Sequence, residues 1–132
     1  MRTHQQQKIV VVDDERDVAL YLEAALSDAG YQVLVADNSR DGLALITRER
    51  PDLVCLDLLM PGSTGMSLYR AMCEDPALAP IPVLIVSGLG VEKGFTELLD
   101  GLPRPQGYLE KPIELLAFLA QVSGILAAAE VA

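Results

Sequence analysis

Three short apolar runs, each ended by a polar or acidic side chain, constrain this chain more than any other feature. Ile9-Val10-Val11-Val12 leads into Asp13-Asp14, Leu53-Val54-Cys55-Leu56 into Asp57, and Val83-Leu84-Ile85-Val86 into Ser87. Unbroken runs of this length suit strands covered on both faces, as the strands of a parallel sheet are. Between the first two runs the period changes. From Glu15 to Ala29 the residues Val18, Leu22, Ala25, Leu26 and Ala29 recur at helical spacing, and Gly30 supplies the stop. Tyr31 to Ala36 reads as another strand. A helix follows to about Arg48, capped by Asn38 or Ser39, with Leu43, Leu45 and Ile46 on its inner side. Pro51 closes that connection. After Pro61 and Gly62 a helix is expected from about Thr64 to Glu74, and Pro76, Pro80 and Pro82 mark a long connection. Pro82 is tolerated so near a strand because the first residue can lack a donor. A helix is expected from about Val91 to Leu99, and a short fifth strand from Gly107 to Glu110. The last helix should carry Pro112 in its first turn and reach about Ala128. Strand and helix in strict alternation imply a doubly wound α/β domain, with right-handed crossovers and helices on both faces of a parallel sheet.

At 132 residues the chain suits one domain, expected over residues 8–128, with a polar tail at 1–7 and a short tail at 129–132. Its formal charge of −9 disfavours direct nucleic-acid binding, which needs Lys and Arg gathered on one face. Cys55 and Cys73 are too few for a disulfide framework. No apolar run approaches the roughly 20 residues that cross a bilayer, and Met1 to Gln7 lacks a signal peptide's apolar segment. These features lead to the expectation of a reduced, cytoplasmic domain that touches neither membrane nor nucleic acid. Met1 and its polar lead-in read as a natural amino terminus. With no further domain after the last helix, the chain reads as a stand-alone regulator or a piece of a longer protein.

Ligands of doubly wound sheets bind outside the carboxyl ends of the strands. Asp13 and Asp14 end the first strand, Asp57 the third and Ser87 the fourth, while Lys111 follows the fifth. The topology therefore brings all five to one edge. Asp37, after the second strand, fits equally well as a helix-capping acid. Three neighbouring carboxylates repel one another unless a cation intervenes. An oxygen-only donor set suits a hard divalent ion such as Mg²⁺, usually completed by water and substrate phosphate oxygens. Lys111 adds a point charge and Ser87 a hydrogen-bond donor, which makes a cradle for a phosphoryl group with Asp57 as the candidate attacking carboxylate.

Together these segments resemble the response regulator receiver domain of two-component signalling. Val12-Asp13-Asp14-Glu15 is similar to its acidic pair, and Asp57-Leu58-Leu59-Met60-Pro61-Gly62, with Gly65 after it, to its phosphoacceptor loop. Ser87 matches the hydroxyl position, and Tyr108-Leu109-Glu110-Lys111-Pro112 the aromatic and lysine signature. The likeness runs from about Lys8 to Gln121. It implies a flavodoxin-like (βα)5 fold with strand order 2-1-3-4-5. It further implies that Asp57 takes a phosphoryl group from a histidine kinase or phosphotransfer protein. Asp14, Asp57 and the backbone carbonyl of Leu59 would ligate Mg²⁺, with Asp13 acting mainly through water. Lys111 would hold a phosphate oxygen. Ser87 and Tyr108 would move on phosphorylation and reshape a face made by the fourth helix, fifth strand and fifth helix. Two departures stand out: Gly88 follows the hydroxyl where Ala is common, and Leu102 to Gly107 replaces a Gly-Ala step before the fifth strand.

Taken singly, each motif has a plainer reading. Asp13 and Asp14 could cap a helix, Asp57 could be an ordinary strand-end acid, and Lys111 a solvated charge. Ser87-Gly88 could be a simple turn, and Tyr108 a half-buried strand aromatic. Cys55 and Cys73 fit as small hydrophobes, and His4 in the polar tail fits no site. Among competing functions, an aspartyl-nucleophile phosphohydrolase would carry a second acid two residues after its nucleophile, where this chain has Leu59. Flavin binding would need a phosphate loop after the first strand, and none is there. A degenerate receiver acting only through protein contacts is opposed by the intact Asp57, Lys111 and acidic pair. Two finer expectations follow. Leu59 and Leu89, each two positions beyond a site residue, cannot orient an attacking water, so a phosphoaspartate should hydrolyse slowly. The last helix carries Ile113, Leu115, Leu116, Phe118, Leu119, Val122, Ile125 and Leu126, more than one core-facing stripe, and its surplus fits a homodimer or effector surface.

Overall fold

In β1 (Lys8–Val12) successive side chains leave opposite faces, and the two halves of the core follow from that. Val10 and Val12 join one buried cluster, Ile9 and Val11 the other, and none of the four is exposed to solvent. The computed structural model describes residues 7–58, 65–88 and 101–131. Along these run α1 (Arg16–Asp28), β2 (Gln32–Ala36), α2 (Ser39–Glu49), β3 (Leu53–Leu56), α3 (Gly65–Glu74), β4 (Val83–Ser87), β5 (Gly107–Glu110) and α4 (Leu115–Val131). All strand pairs are parallel, as the alternation of strand and helix led us to expect, and their order β2-β1-β3-β4-β5 is the one the resemblance implied. The helix anticipated over about Val91–Leu99, together with Leu59, Pro61, Gly62 and Leu89, lies outside the described residues.

Helices α2 and α3 cover one face, placing Ile46, Leu68, Tyr69 and Met72 against Val10, Val54 and Ile85. Helices α1 and α4 cover the other, where Leu22, Leu26, Phe118 and Val122 meet Ile9, Leu53 and Leu84. Cys55 is buried among these, and the lost solvation pushes its thiol up to about 12. Both cysteines are free, and Cys73 packs at the margin of the first cluster. Asn38 caps α2 by accepting the Asp41 amide at 2.7 Å. Gly30, with φ of 100°, turns the chain out of α1. Pro82 immediately precedes β4, and its carbonyl accepts the Val54 amide at 3.0 Å.

The last helix departs from expectation at both ends. Pro112 stands before it, after a cis Lys111–Pro112 bond, and the first helical residue is Leu115. Glu114 opens the helix: its carboxylate accepts the Leu116 and Ala117 amides at 3.2 and 2.7 Å, the proper chemistry for a positive helix end. At the far end the helix runs through the expected tail to Val131. Of its eight apolar positions, Phe118, Val122, Ile125 and Leu126 are buried, and Ile113 and Leu119 pack against the core. The surplus reduces to Leu115 and Leu116, 39% and 72% exposed. Among the described residues no helix is long and apolar enough to cross a membrane.

Candidate functional site

The sheet ladder extends one residue past three strands, and that extension assembles the site. The Asp13 amide donates to the Ala36 carbonyl at 3.1 Å and the Asp57 amide to Val12 at 3.0 Å. The Lys111 amide donates to the Ser87 carbonyl at 2.8 Å. Asp13, Asp57 and Lys111 are thereby fixed by backbone bonds just beyond β1, β3 and β5, with Ser87 closing β4 beside them. Oxygens of Asp13, Asp14 and Asp57 lie within 4.8 Å of one another. Asp13 and Asp57 are buried, 2% and 3% exposed, and Asp14 is half-buried.

Such a cluster stores repulsion, and Lys111 offsets it. Its Nζ stands 3.0 Å from Asp13 Oδ2 and 3.3 Å from Asp57 Oδ2. Burial works against the ammonium, but the Glu15, Asp13 and Asp57 carboxylates outweigh it and hold the Lys111 pKa above its ordinary value. Asp13 moves in the direction of its burial. Lost solvation raises its carboxyl above the usual range and the Asp57 charge adds to this, while the Glu15 amide and Lys111 pull the other way. Asp13 Oδ1 accepts the Glu15 amide at 2.9 Å. Among the described residues its buried Oδ2 accepts no hydrogen bond, and the Lys111 ammonium stands 3.0 Å from it. A buried carboxylate oxygen left in that condition, beside two further carboxylates, is a donor set for a hard cation.

Sequence reasoning anticipated Asp13, Asp14, Asp57, Ser87 and Lys111 on this edge, and the structure brings these five together. Ser87 is fully buried. Tyr108 sits one strand away, half-buried opposite Ile85, its carbonyl accepting Gln121 Nε2 at 3.4 Å. Leu59, expected to offer its carbonyl, lies outside the described residues. One participant went unassigned: Glu15 is a direct partner of Lys111. It is the third acid of an acidic run at a helix start, so the capping pattern concealed it.

Gly65 enters the sequence reading as a chain breaker that follows the phosphoacceptor-like loop, with no structural role of its own. In the structure it opens α3, and its amide donates to the Leu58 carbonyl at 2.8 Å. A Cβ there would lie 1.9 Å from the Asp57 carbonyl oxygen and 2.7 Å from Leu58 Cα. Absence of a side chain lets the helix start press directly on the backbone that carries Asp57.

The chain is similar to known proteins along nearly all of its length. Residues 9–123 match the family model described as the response regulator receiver domain. The protein PilH of Pseudomonas aeruginosa is 37% identical over 123 residues, covering 91% of this chain and 98% of PilH. The phosphate regulon transcriptional regulatory protein PhoB of the same organism is 30% identical, over 89% of this chain but only 51% of PhoB. Among solved structures, a putative response regulator from Chloroflexus aurantiacus superimposes with a TM-score of 0.81 at 30% identity, covering 92% of this chain and 98% of that one. The chemotaxis protein CheY4 of Vibrio cholerae has the same fold, with a TM-score of 0.82 over 90% of this chain and 98% of its own at 24% identity. By the family model over residues 9–123 and the likeness to PilH along nearly its whole length, the chain belongs to the response regulator receiver domain family.

Proposed function

We propose that this chain is a phosphorylation-controlled switch in which Asp57 accepts a phosphoryl group from a phosphohistidine on a histidine kinase or phosphotransfer protein. The observation that carries this reading is the placement of a buried Asp57 carboxylate, 3% exposed, against a lysine and two further acids at the carboxyl ends of the strands. A carboxylate oxygen of Asp57 attacks phosphorus. The new O–P bond forms as the P–N bond breaks, and that electron pair stays on the imidazole nitrogen. Lys111 Nζ, already 3.3 Å from Asp57 Oδ2, is within reach of an oxygen of the arriving group and can exchange a carboxylate partner for it. Ser87 lies one rung away on the adjoining strand, where its hydroxyl can donate to the same group.

Mg²⁺ fits the acids, on the evidence of the buried Asp13 Oδ2 and the three converging carboxylates. Asp14, Asp57 and the Leu59 carbonyl would hold the ion, with Asp13 acting through water. When bound, it neutralises charge on the acids and on the phosphoryl oxygens. New contacts from Ser87 and Lys111 to the phosphoryl group exist only in the phosphorylated form, so they are what bias the conformational equilibrium, and Tyr108 on β5 follows. The chain then acts through changed surfaces, including β5 and the last helix with Leu115 and Leu116, towards an effector. No chemistry beyond its own phosphorylation and dephosphorylation is required of it, and a cytoplasmic location would place it with such kinases.

Incubation with Mg²⁺ and acetyl phosphate, read by intact mass, should show one added phosphoryl group, absent in Asp57→Asn and absent when the metal is chelated. Steady turnover of phosphate esters, or no uptake from any donor, would overturn the reading. Hydrolysis of that acyl phosphate should be slow because Leu59 offers no group to orient water. Leu59→Asn is expected to shorten its lifetime severalfold, followed by loss of the added mass over time, and an unchanged lifetime would remove Leu59 from the account.

A further inference from the structure

β2 is an edge strand, and among the described residues no strand pairs with its outer side. Helices α1 and α2 stand on opposite faces of the sheet there and flank that edge, and a groove of about 740 Å³ runs along it from Asp13 and Asp14. The floor includes Val35, 37% exposed. The α1 wall places Leu20, 49% exposed, between Arg16 and Glu23. The α2 wall places Leu45 between Asp41 and Arg48. In each helix the two charges are seven residues apart, about 10 Å along the axis, too far to pair with each other.

From this pattern we infer that the β2 edge is a dimer interface, occupied by β2 of a second copy running antiparallel across a two-fold axis. The charge order fixes the partner. A two-fold axis normal to the sheet keeps each helix on its own face and reverses its direction. Arg16 then meets Glu23 of the second copy and Glu23 meets its Arg16, on one face of the joined sheet. Asp41 and Arg48 are placed for the same exchange on the other face, where Arg48 already stands 2.9 Å from Glu49 of its own chain. Leu20 and Leu45, at the midpoints of their charge pairs, fall near the axis together with Val35. Spacing permits the arrangement. α1 packs over both β1 and β2, so it lies slightly inside the edge. With strands about 4.8 Å apart, the two α1 helices stand about 10 Å from each other, a normal packing distance. Ten strands would form one continuous sheet, removing two open edges of the kind that invite uncontrolled pairing. The last helix takes no part in this contact.

Sedimentation of the full chain over a range of concentrations should show a monomer–dimer equilibrium. Arg16→Glu alone and Glu23→Arg alone each place like charges opposite one another twice, and each should weaken the dimer about tenfold or more. Mixing these two variants in equal amounts should restore it, because the mixed dimer pairs Glu with Arg at both positions. The α1 pair is the one to exchange, since Asp41 also binds Asn38 at the start of α2 through a 2.9 Å hydrogen bond. Circular dichroism of each variant establishes that it is folded. A chain that stays monomeric at every concentration would overturn the proposal. So would a dimer indifferent to both charge reversals and broken by Leu116→Lys, which would place the contact on the last helix.

Discussion

Phe118→Ala is expected to destabilise the fold by about 3–5 kcal/mol, the range for removing a fully buried aromatic side chain from a packed core. Phe118 is 0% exposed and lies on α4, where it meets the cluster formed by Ile9, Leu22, Leu53, Leu84 and Val122. It therefore helps tie the last helix to the cluster that β1, β3, β4 and α1 share. Small domains have net stabilities of only about 5–15 kcal/mol, so this one change removes a large part of the whole. Urea titration followed by circular dichroism should show the midpoint falling sharply with the slope unchanged. Leu116→Ala, two residues earlier and 72% exposed, removes a similar kind of side chain from solvent and should shift stability by no more than about 0.5 kcal/mol. The contrast tests whether this very apolar helix stabilises the domain through its buried positions alone. Comparable losses at both would mean that Leu116 is covered by something in solution.

What could be read in advance separates along physical lines. β1, β3 and β4 were legible because burial on both faces leaves a run with no polar residue, a pattern that needs no knowledge of neighbours. The edge strand β2 was legible too, but its partly exposed pattern carries information that only the fold decodes. Val35 is exposed because, among the described residues, no strand lies beyond it, and Leu45, assigned to the inner side of α2, is only half-buried because it borders that open edge. The convergence of Asp13, Asp14, Asp57, Ser87 and Lys111 followed from topology, since parallel strands deliver their ends to one side. Glu15 was hidden because an acid at a helix start already has a sufficient local reason. The start of α4 was misplaced because Pro112 mimics a first-turn proline, whereas the side chain that satisfies the free amides is Glu114. Its far end was misplaced because Ala127 to Val131 has high helix propensity and no stop residue. Gly65 was underread for a different reason. A glycine that follows Pro61 and Gly62 reads as one more loop residue, and nothing local shows that the backbone it must approach belongs to residue 57.

That approach makes Gly65→Ala the substitution most able to couple stability with function. A Cβ 1.9 Å from the Asp57 carbonyl oxygen cannot be accommodated by rotating a side chain, because both obstacles, that oxygen and Leu58 Cα, are backbone atoms. Either α3 moves away from the sheet or the segment carrying Asp57 shifts. Moving α3 disturbs Leu68, Tyr69 and Met72, all buried on one face of the sheet, and overpacking of this kind costs about 1–3 kcal/mol. Shifting Asp57 spoils its alignment with Lys111, now 3.3 Å away, and a misplacement near 1 Å can reduce a rate about 100-fold. Gly65→Ala should therefore lower the urea midpoint and slow Mg²⁺-dependent phosphoryl uptake by about tenfold or more. Gly88→Ala is the matched control beside the same site. A Cβ at Gly88 meets nothing within 4 Å, so stability should hold or rise slightly as the unfolded chain loses freedom. If Gly65→Ala proved as harmless as Gly88→Ala, the pressure of α3 on the Asp57 backbone could not be what fixes the Asp57 carboxylate. A variant that lost stability yet kept its uptake rate would show α3 yielding while the strand end stayed in place, with backbone bonds such as Asp57 N–H to Val12 holding the carboxylate unaided.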